Sequence, residues 1–227
     1  MRMLAFDTSS SACSVALLNQ GEIKCLHKIA PMQQTNLILP FVHELLESCS
    51  LSLNQLDAIA FGSGPGSFTG IRIASSVAQG LSFPYDIPLI PVSSLAILAQ
   101  TAYLTQKRPH VLVALDARVD QIYWAYYAVD ESEAISLVGQ EQCCLLSQLS
   151  LPSTLLAKNK LNPEEWCGVG DGWVKYGDQL MTEIGFRPSQ LETELAPEAS
   201  ALIDLAQIKF KLGLKVSSMK AIPTYLR

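Results

Sequence analysis

Apolar and polar positions alternate along the chain in short blocks. Met3 to Phe6 is an apolar run ending in the turn-rich Asp7-Thr8-Ser9-Ser10-Ser11, and Cys13 to Leu18 resumes as a second strand before Asn19-Gln20-Gly21. Ile23 to Ile29 predicts a third strand. Pro31 to Asn36 reads as a loop and helix start, and Leu37 to Cys49 carries apolar residues at helical spacing. Asp57 to Phe61 predicts a strand, Gly62 to Gly70 a loop, and Ile71 to Phe83 a close-packed helix of small and apolar residues. Leu89 to Val92, Ser93 to Gln106 and Val111 to Leu115 read as strand, helix and strand. Ser132 to Lys160 is weakly patterned, and Gly168 to Gly172 is a second glycine-rich turn. Pro197 to Leu212 ends in a helix with Pro197 near N1 and Gly213 at C′.

The two halves share a signal. Phe6-Asp7 is followed by Cys13, Val15 and Leu17, and Leu115-Asp116 is followed at equal offsets by Ile122, Trp124 and Tyr126. Each half thus opens with strand, Asp, turn and strand, which fits either a duplicated α/β unit or two hairpins that merely look alike. The helices carry a second signal. At about 100° per residue, Leu37, Ile38, Leu39, Phe41, Val42, Leu45, Leu46 and Cys49 span an arc of roughly 200°, twice what one core face requires. On the helix from Ile71 to Phe83 the only charge is Arg72, and Gly70, Ala74, Ser75 and Ala78 allow close approach. Two such under-charged helices suggest a packed interface with another subunit, or complete burial in their own domain.

The 227 residues are 49% apolar and 16% charged, against about 25% charged in an average soluble protein. That composition excludes intrinsic disorder and suits one large domain or two small ones. The charge-free stretch from Ile87 to Gln106 is interrupted by Pro88, Pro91, Ser93, Ser94, Gln100 and Thr101, so no membrane span is expected. Met1 to Asp7 lacks the apolar region of a signal peptide, which predicts a cytoplasmic protein. With 16 basic residues against 21 acidic ones and a net charge of -5, the chain lacks the electrostatic footprint of a tRNA binder. Its six cysteines form no CxxC, and none of His27, His43 and His110 is spaced for a metal pair, so no metal site is expected.

The candidate chemistry is sparse. Gly62-Ser63-Gly64-Pro65-Gly66-Ser67-Phe68-Thr69-Gly70 lies between a strand and a helix, where free N–H groups favour an anion. It has no Walker Gly-Lys ending, and a tight turn with glycine-mediated packing explains it equally. Asp7, with Thr8 and Ser9, could hold a phosphate or a metal-bound water, or simply cap a turn. No nucleophile elbow serves the histidines.

These residues resemble the TsaB (YeaZ) family. The resemblance runs through Leu4-Ala5-Phe6-Asp7-Thr8-Ser9, Leu56 to Ala60, Gly64 to Ile73, and Pro91 to Leu95. It continues in Leu115-Asp116-Ala117-Arg118, Val169 to Gly172 and Ile222 to Arg227. It implies an actin-like α/β fold of two similar lobes, placed at residues 1–106 and 107–227, with the last helix packing back on the first lobe. The implied role is that of a scaffold or activator in making N6-threonylcarbamoyladenosine beside the anticodon of tRNAs reading codons that begin with A. There TsaC supplies a threonylcarbamoyl adenylate and TsaD, with the ATPase TsaE, transfers the group. The resemblance implies a non-catalytic partner of TsaD, a homodimer when TsaD is absent, tRNA contact only through the complex, and no membrane. TsaD has a metal-binding His-x-x-x-His helix where this chain has Ser94 and Leu98, which cannot supply that ligand pair. Hence no intrinsic cofactor is expected, with nucleotide only in the partner complex. The candidate phosphate-loop residues are Asp7, Thr8, Gly64, Gly66 and Ser67. The candidate interface residues are Leu37, Phe41, Leu45, Gly70, Arg72, Ala74 and Ala78. The rival readings are an actin-fold kinase or ATPase using Asp7, Asp116 and the glycine loop, and a glycoprotease-like metallopeptidase.

Overall fold

The computed structural model describes residues 1–129, 134–149, 151 and 162–226. Part of the weakly patterned stretch from Ser132 to Lys160 and the terminal Arg227 lie outside the described residues. In chain order the elements are β1 (Arg2–Asp7), β2 (Ala12–Asn19), β3 (Glu22–Ile29), α1 (Gln34–Ser48), β4 (Ala58–Gly62), α2 (Phe68–Ser82), β5 (Leu89–Val92) and α3 (Ser94–Gln106). They continue with β6 (His110–Arg118), β7 (Gln121–Val129), β8 (Ile135–Leu137), β9 (Gln142–Leu145), β10 (Trp166–Val169), α4 (Gly172–Ile184), β11 (Gln190–Glu192) and α5 (Ala199–Lys211).

The chain divides into two compact units, one of Met1–Ile97 with Ala196–Tyr225 and one built on Leu98–Leu195. The division falls inside α3, earlier than the boundary after Gln106 read from the sequence. Ala196–Tyr225 groups with the first unit because α5 packs on β1, β2 and β5.

In the first unit the strand order is β3-β2-β1-β4-β5, with β1, β2 and β3 antiparallel and β1, β4 and β5 parallel. Leu4, Phe6, Val15, Leu17, Ile59 and Phe61 turn one face of this sheet toward Ile38, Val42 and Leu45 of α1 and Ala74 and Ala78 of α2. Helices cover both faces, so β2 is buried along nearly its whole length instead of alternating.

The second sheet runs β11-β10-β6-β7-β8, with β9 also on β7, and repeats the same scheme of antiparallel hairpin strands and parallel partners. This is the duplicated α/β architecture that the family resemblance implied. The repeat is not exact in register. Asp7 lies opposite Ser14, whereas Asp116 lies opposite Ile122, because a bulge follows Asp116. Consequently Leu112 and Ala114, one position earlier than the counterparts of Leu4 and Phe6, share a core with Ile122, Trp124 and Tyr126.

Two local expectations need adjustment. Pro197 precedes the N-cap Glu198 and so sits outside the first turn of α5. Gly213 does close that helix: its φ is +73°, its N–H donates to Phe210 O, and Leu214 N–H donates to Lys209 O. Among the described residues, no helix is long and apolar enough to cross a membrane.

Candidate functional site

β1 and β4 are parallel neighbours, so their C-terminal ends lie side by side and bring Asp7 against Gly62. A Cβ at Gly62 would overlap the Asp7 carboxylate. That carboxylate is 1% exposed. It accepts from Ser9 N at 2.9 Å, Ser9 Oγ at 2.8 Å and Ser94 Oγ at 3.3 Å. Among the described residues no cation lies within ion-pairing distance of it. Burial pushes its pKa up to about 6, and the three donors only partly offset that effect.

The glycine loop is tied down on every side. Ser67 N donates to Ser9 O at 2.7 Å, Gly64 N donates to Ser94 Oγ at 3.2 Å, and Ser94 N returns a bond to Gly64 O at 2.9 Å. Thr8 Oγ1 donates to Gly70 O at 2.7 Å. The Gly64–Pro65 peptide is cis. Gly66 has φ +154° and would place a Cβ 2.6 Å from Ser9 O, while a Cβ at Gly70 would run into the Thr8 carbonyl.

Asp7, Thr8, Gly64, Gly66 and Ser67 therefore do come together, as the sequence suggested. Their arrangement is that of a close-packed turn. The N–H groups of Gly64 and Ser67 are spent on the chain itself, and the space beside the glycines is filled by main-chain carbonyl oxygens, which repel phosphate. Those two N–H groups are therefore not available to an anion. Ser94 is fully buried and serves as the loop's latch, and Leu98 is a core residue. In the second unit Asp116 is paired with Lys175, whose Nζ lies 3.2 Å from each carboxylate oxygen, and Tyr176 OH donates to it at 3.4 Å.

The expected interface set is only partly on the surface. Leu45, Ala74 and Ala78 belong to the first unit's own core, and Gly70 is pressed on Thr8. Small residues pack as closely on a sheet as on a partner, so the helical pattern could not distinguish the two. Leu37 and Phe41 sit half-buried at the rim of that core, and Arg72 is exposed. The outward faces instead carry Leu39 and Pro40 on α1 and Ser76 and Gly80 on α2.

Sequence reasoning also missed several positioning residues. Gln34 donates to Ser10 O at 2.8 Å and pins the start of α1 to the β1–β2 turn. From the far end of the chain, Thr224 N donates to Ser63 O at 2.7 Å, Gln79 Nε2 donates to Ala221 O at 3.0 Å, and Ser75 Oγ bonds the same carbonyl. The polar Ser75 and Gln79, on a helix read as close-packed, were a hint of this contact.

Comparison with known proteins follows the same lines. A family model described as "TsaD: tRNA N6-adenosine threonylcarbamoyltransferase" matches residues 28–170. The chain is 38% identical over 227 residues to the "tRNA threonylcarbamoyladenosine biosynthesis protein TsaB" of Escherichia coli strain K12, covering 100% of this chain and 95% of that one. The protein of the same name from Haemophilus influenzae is 36% identical over 228 residues, covering 100% and 94%. Among solved structures, YeaZ from Pseudomonas aeruginosa superposes with a TM-score of 0.88 at 38% identity, covering 99% of each chain.

Proposed function

Since the chain belongs to the TsaB (YeaZ) family, we propose that it acts in threonylcarbamoyladenosine biosynthesis as a non-catalytic subunit that binds TsaD, and TsaE through it. The observation that carries this reading is the self-contained glycine loop. The N–H groups of Gly64 and Ser67, the glycine faces and Ser94 are engaged in holding the fold, which supports a structural rather than a catalytic loop. A kinase reading would need Asp7 ionised and reachable by ligand, whereas it is buried with a raised pKa. A metallopeptidase reading would need ligands where Ser94 and Leu98 stand.

The outer faces of α1 and α2 are the surface for TsaD, and for a second copy when TsaD is absent. They combine exposed Leu39 with Ser76 and Gly80, which lets another helix approach closely. Ser76→Arg tests this better than a change at Ala74, which would break the core. Ser76 is exposed, so the variant is expected to fold with an unchanged melting curve. It should lose co-elution with TsaD on size-exclusion chromatography and lose tRNA modification in a reconstituted reaction. Modified tRNA formed by this chain without TsaD would refute the non-catalytic role, and normal TsaD binding by Ser76→Arg would move the interface elsewhere.

A further inference from the structure

We propose that Phe68, Arg72 and Tyr225 form a preorganised anchor for one carboxylate of the partner subunit, an inference that rests on the partner role above. Arg72 is exposed and is the only charge between Gly62 and Ser82. Its guanidinium carbon lies 3.6 Å from the centroid of the Phe68 ring, and its Nε donates to Tyr225 OH at 3.0 Å. The Tyr225 ring lies 6.4 Å from that of Phe68. Both rings remain about half exposed, at 55% for Phe68 and 49% for Tyr225.

Tyr225 reaches this place because the preceding segment is strapped down. Ala221 O accepts from Ser75 and Gln79 of α2, and Thr224 N donates to Ser63 O of the glycine loop. The strap brings residues far apart in the sequence to the first turns of α2.

The arrangement has a functional signature. A free arginine side chain loses much rotamer entropy when it binds, but this one is held by a ring face and a hydroxyl beforehand. Only Nε is used. Among the described residues no carboxylate pairs with Arg72, so the Nη1 and Nη2 edge presents a fork of donors matched to a carboxylate. Exposed aromatic and arginine side chains set together are the residue types that dominate binding energy at protein interfaces. A phosphate backbone is the poorer match. Tracking one takes several cations, and the loop and helix supply this one alone.

The test is calorimetric titration of the whole chain with TsaD. Arg72→Ala should weaken binding at least tenfold without changing the melting curve. Arg72→Lys should not restore it, because an ammonium cannot present the fork. Tyr225→Phe, which keeps the ring and removes only the hydroxyl, should weaken binding about threefold. A scan of surface Asp and Glu residues of TsaD to their amides should find one whose effect is non-additive with Arg72→Ala. Binding of Arg72→Ala within twofold of the unmodified chain would overturn the inference, as would a loss that couples to no carboxylate. Intact TsaD binding with weakened tRNA binding by the assembled complex would assign the site to phosphate instead. Failure of the unmodified chain to bind TsaD would overturn the partner role itself, a result distinct from these.

Discussion

Asp7 is a buried carboxylate with three hydrogen-bond donors and, among the described residues, no counter-ion. Its pKa rises from an ordinary 3.8 to about 6, so between those values the folded chain holds a proton that the unfolded chain has released. Stability therefore falls as pH rises through that window, and the cost persists above it. Asp7→Asn keeps an oxygen for Ser9 and adds a donor for Ser94. It should raise stability near neutral pH, by at most about 3 kcal/mol for a shift of roughly two units, with the gain vanishing toward pH 4. Urea melts at the two pH values would measure it. Gly70→Ala works in the opposite direction, because its methyl group meets the Thr8 carbonyl. A loss of about 1–3 kcal/mol is expected at either pH. The sequence showed these residue types and their neighbourhood; it could not show that Gly62 closes over the carboxylate, since that contact joins two strands far apart in the chain.

The helices were legible as elements but not in orientation. α1, α2, α3 and α5 lie within a few residues of where periodicity placed them, and both halves formed a hairpin, the second in a register shifted from the one that the equal offsets suggested. Periodicity states which residues share a face. It does not state what covers that face, and so Ala74 and Ala78 looked equally suited to a partner or to the sheet they actually touch. Two helical glycines now separate stability from association. Gly177 on α4 and Gly80 on α2 both have open space where a Cβ would stand. Gly177→Ala should stabilise the chain by about 0.5–1 kcal/mol and leave TsaD binding unchanged. Gly80→Ala should stabilise it similarly yet weaken association, because its methyl group stands on the face assigned to the partner. Thermal melts paired with binding titrations distinguish the two.

For the whole molecule the net charge of -5 predicts that the isolated chain does not bind tRNA tightly near physiological salt. Fluorescence anisotropy should show no sub-micromolar, salt-sensitive binding until TsaD is added. The sequence by itself determined what short-range physics controls: the strands and helices of the first unit, the paired hairpin signal, the turn between β4 and α2, and the shortage of charge, while the weakly patterned β8 and β9 and the helix α4 were not legible in it. Tertiary structure alone decided the rest. A bulge after Asp116 shifted the register of the second hairpin relative to the first. Packing between distant strands buried Asp7 and tied the glycine loop to Ser9 and Ser94. The segment from Ala221 to Tyr225 crossed back over the first unit and placed Tyr225 beside Arg72. Each of these depends on contacts between residues far apart in the chain, and hydrophobic periodicity carries no information about which distant backbone will arrive at a given face.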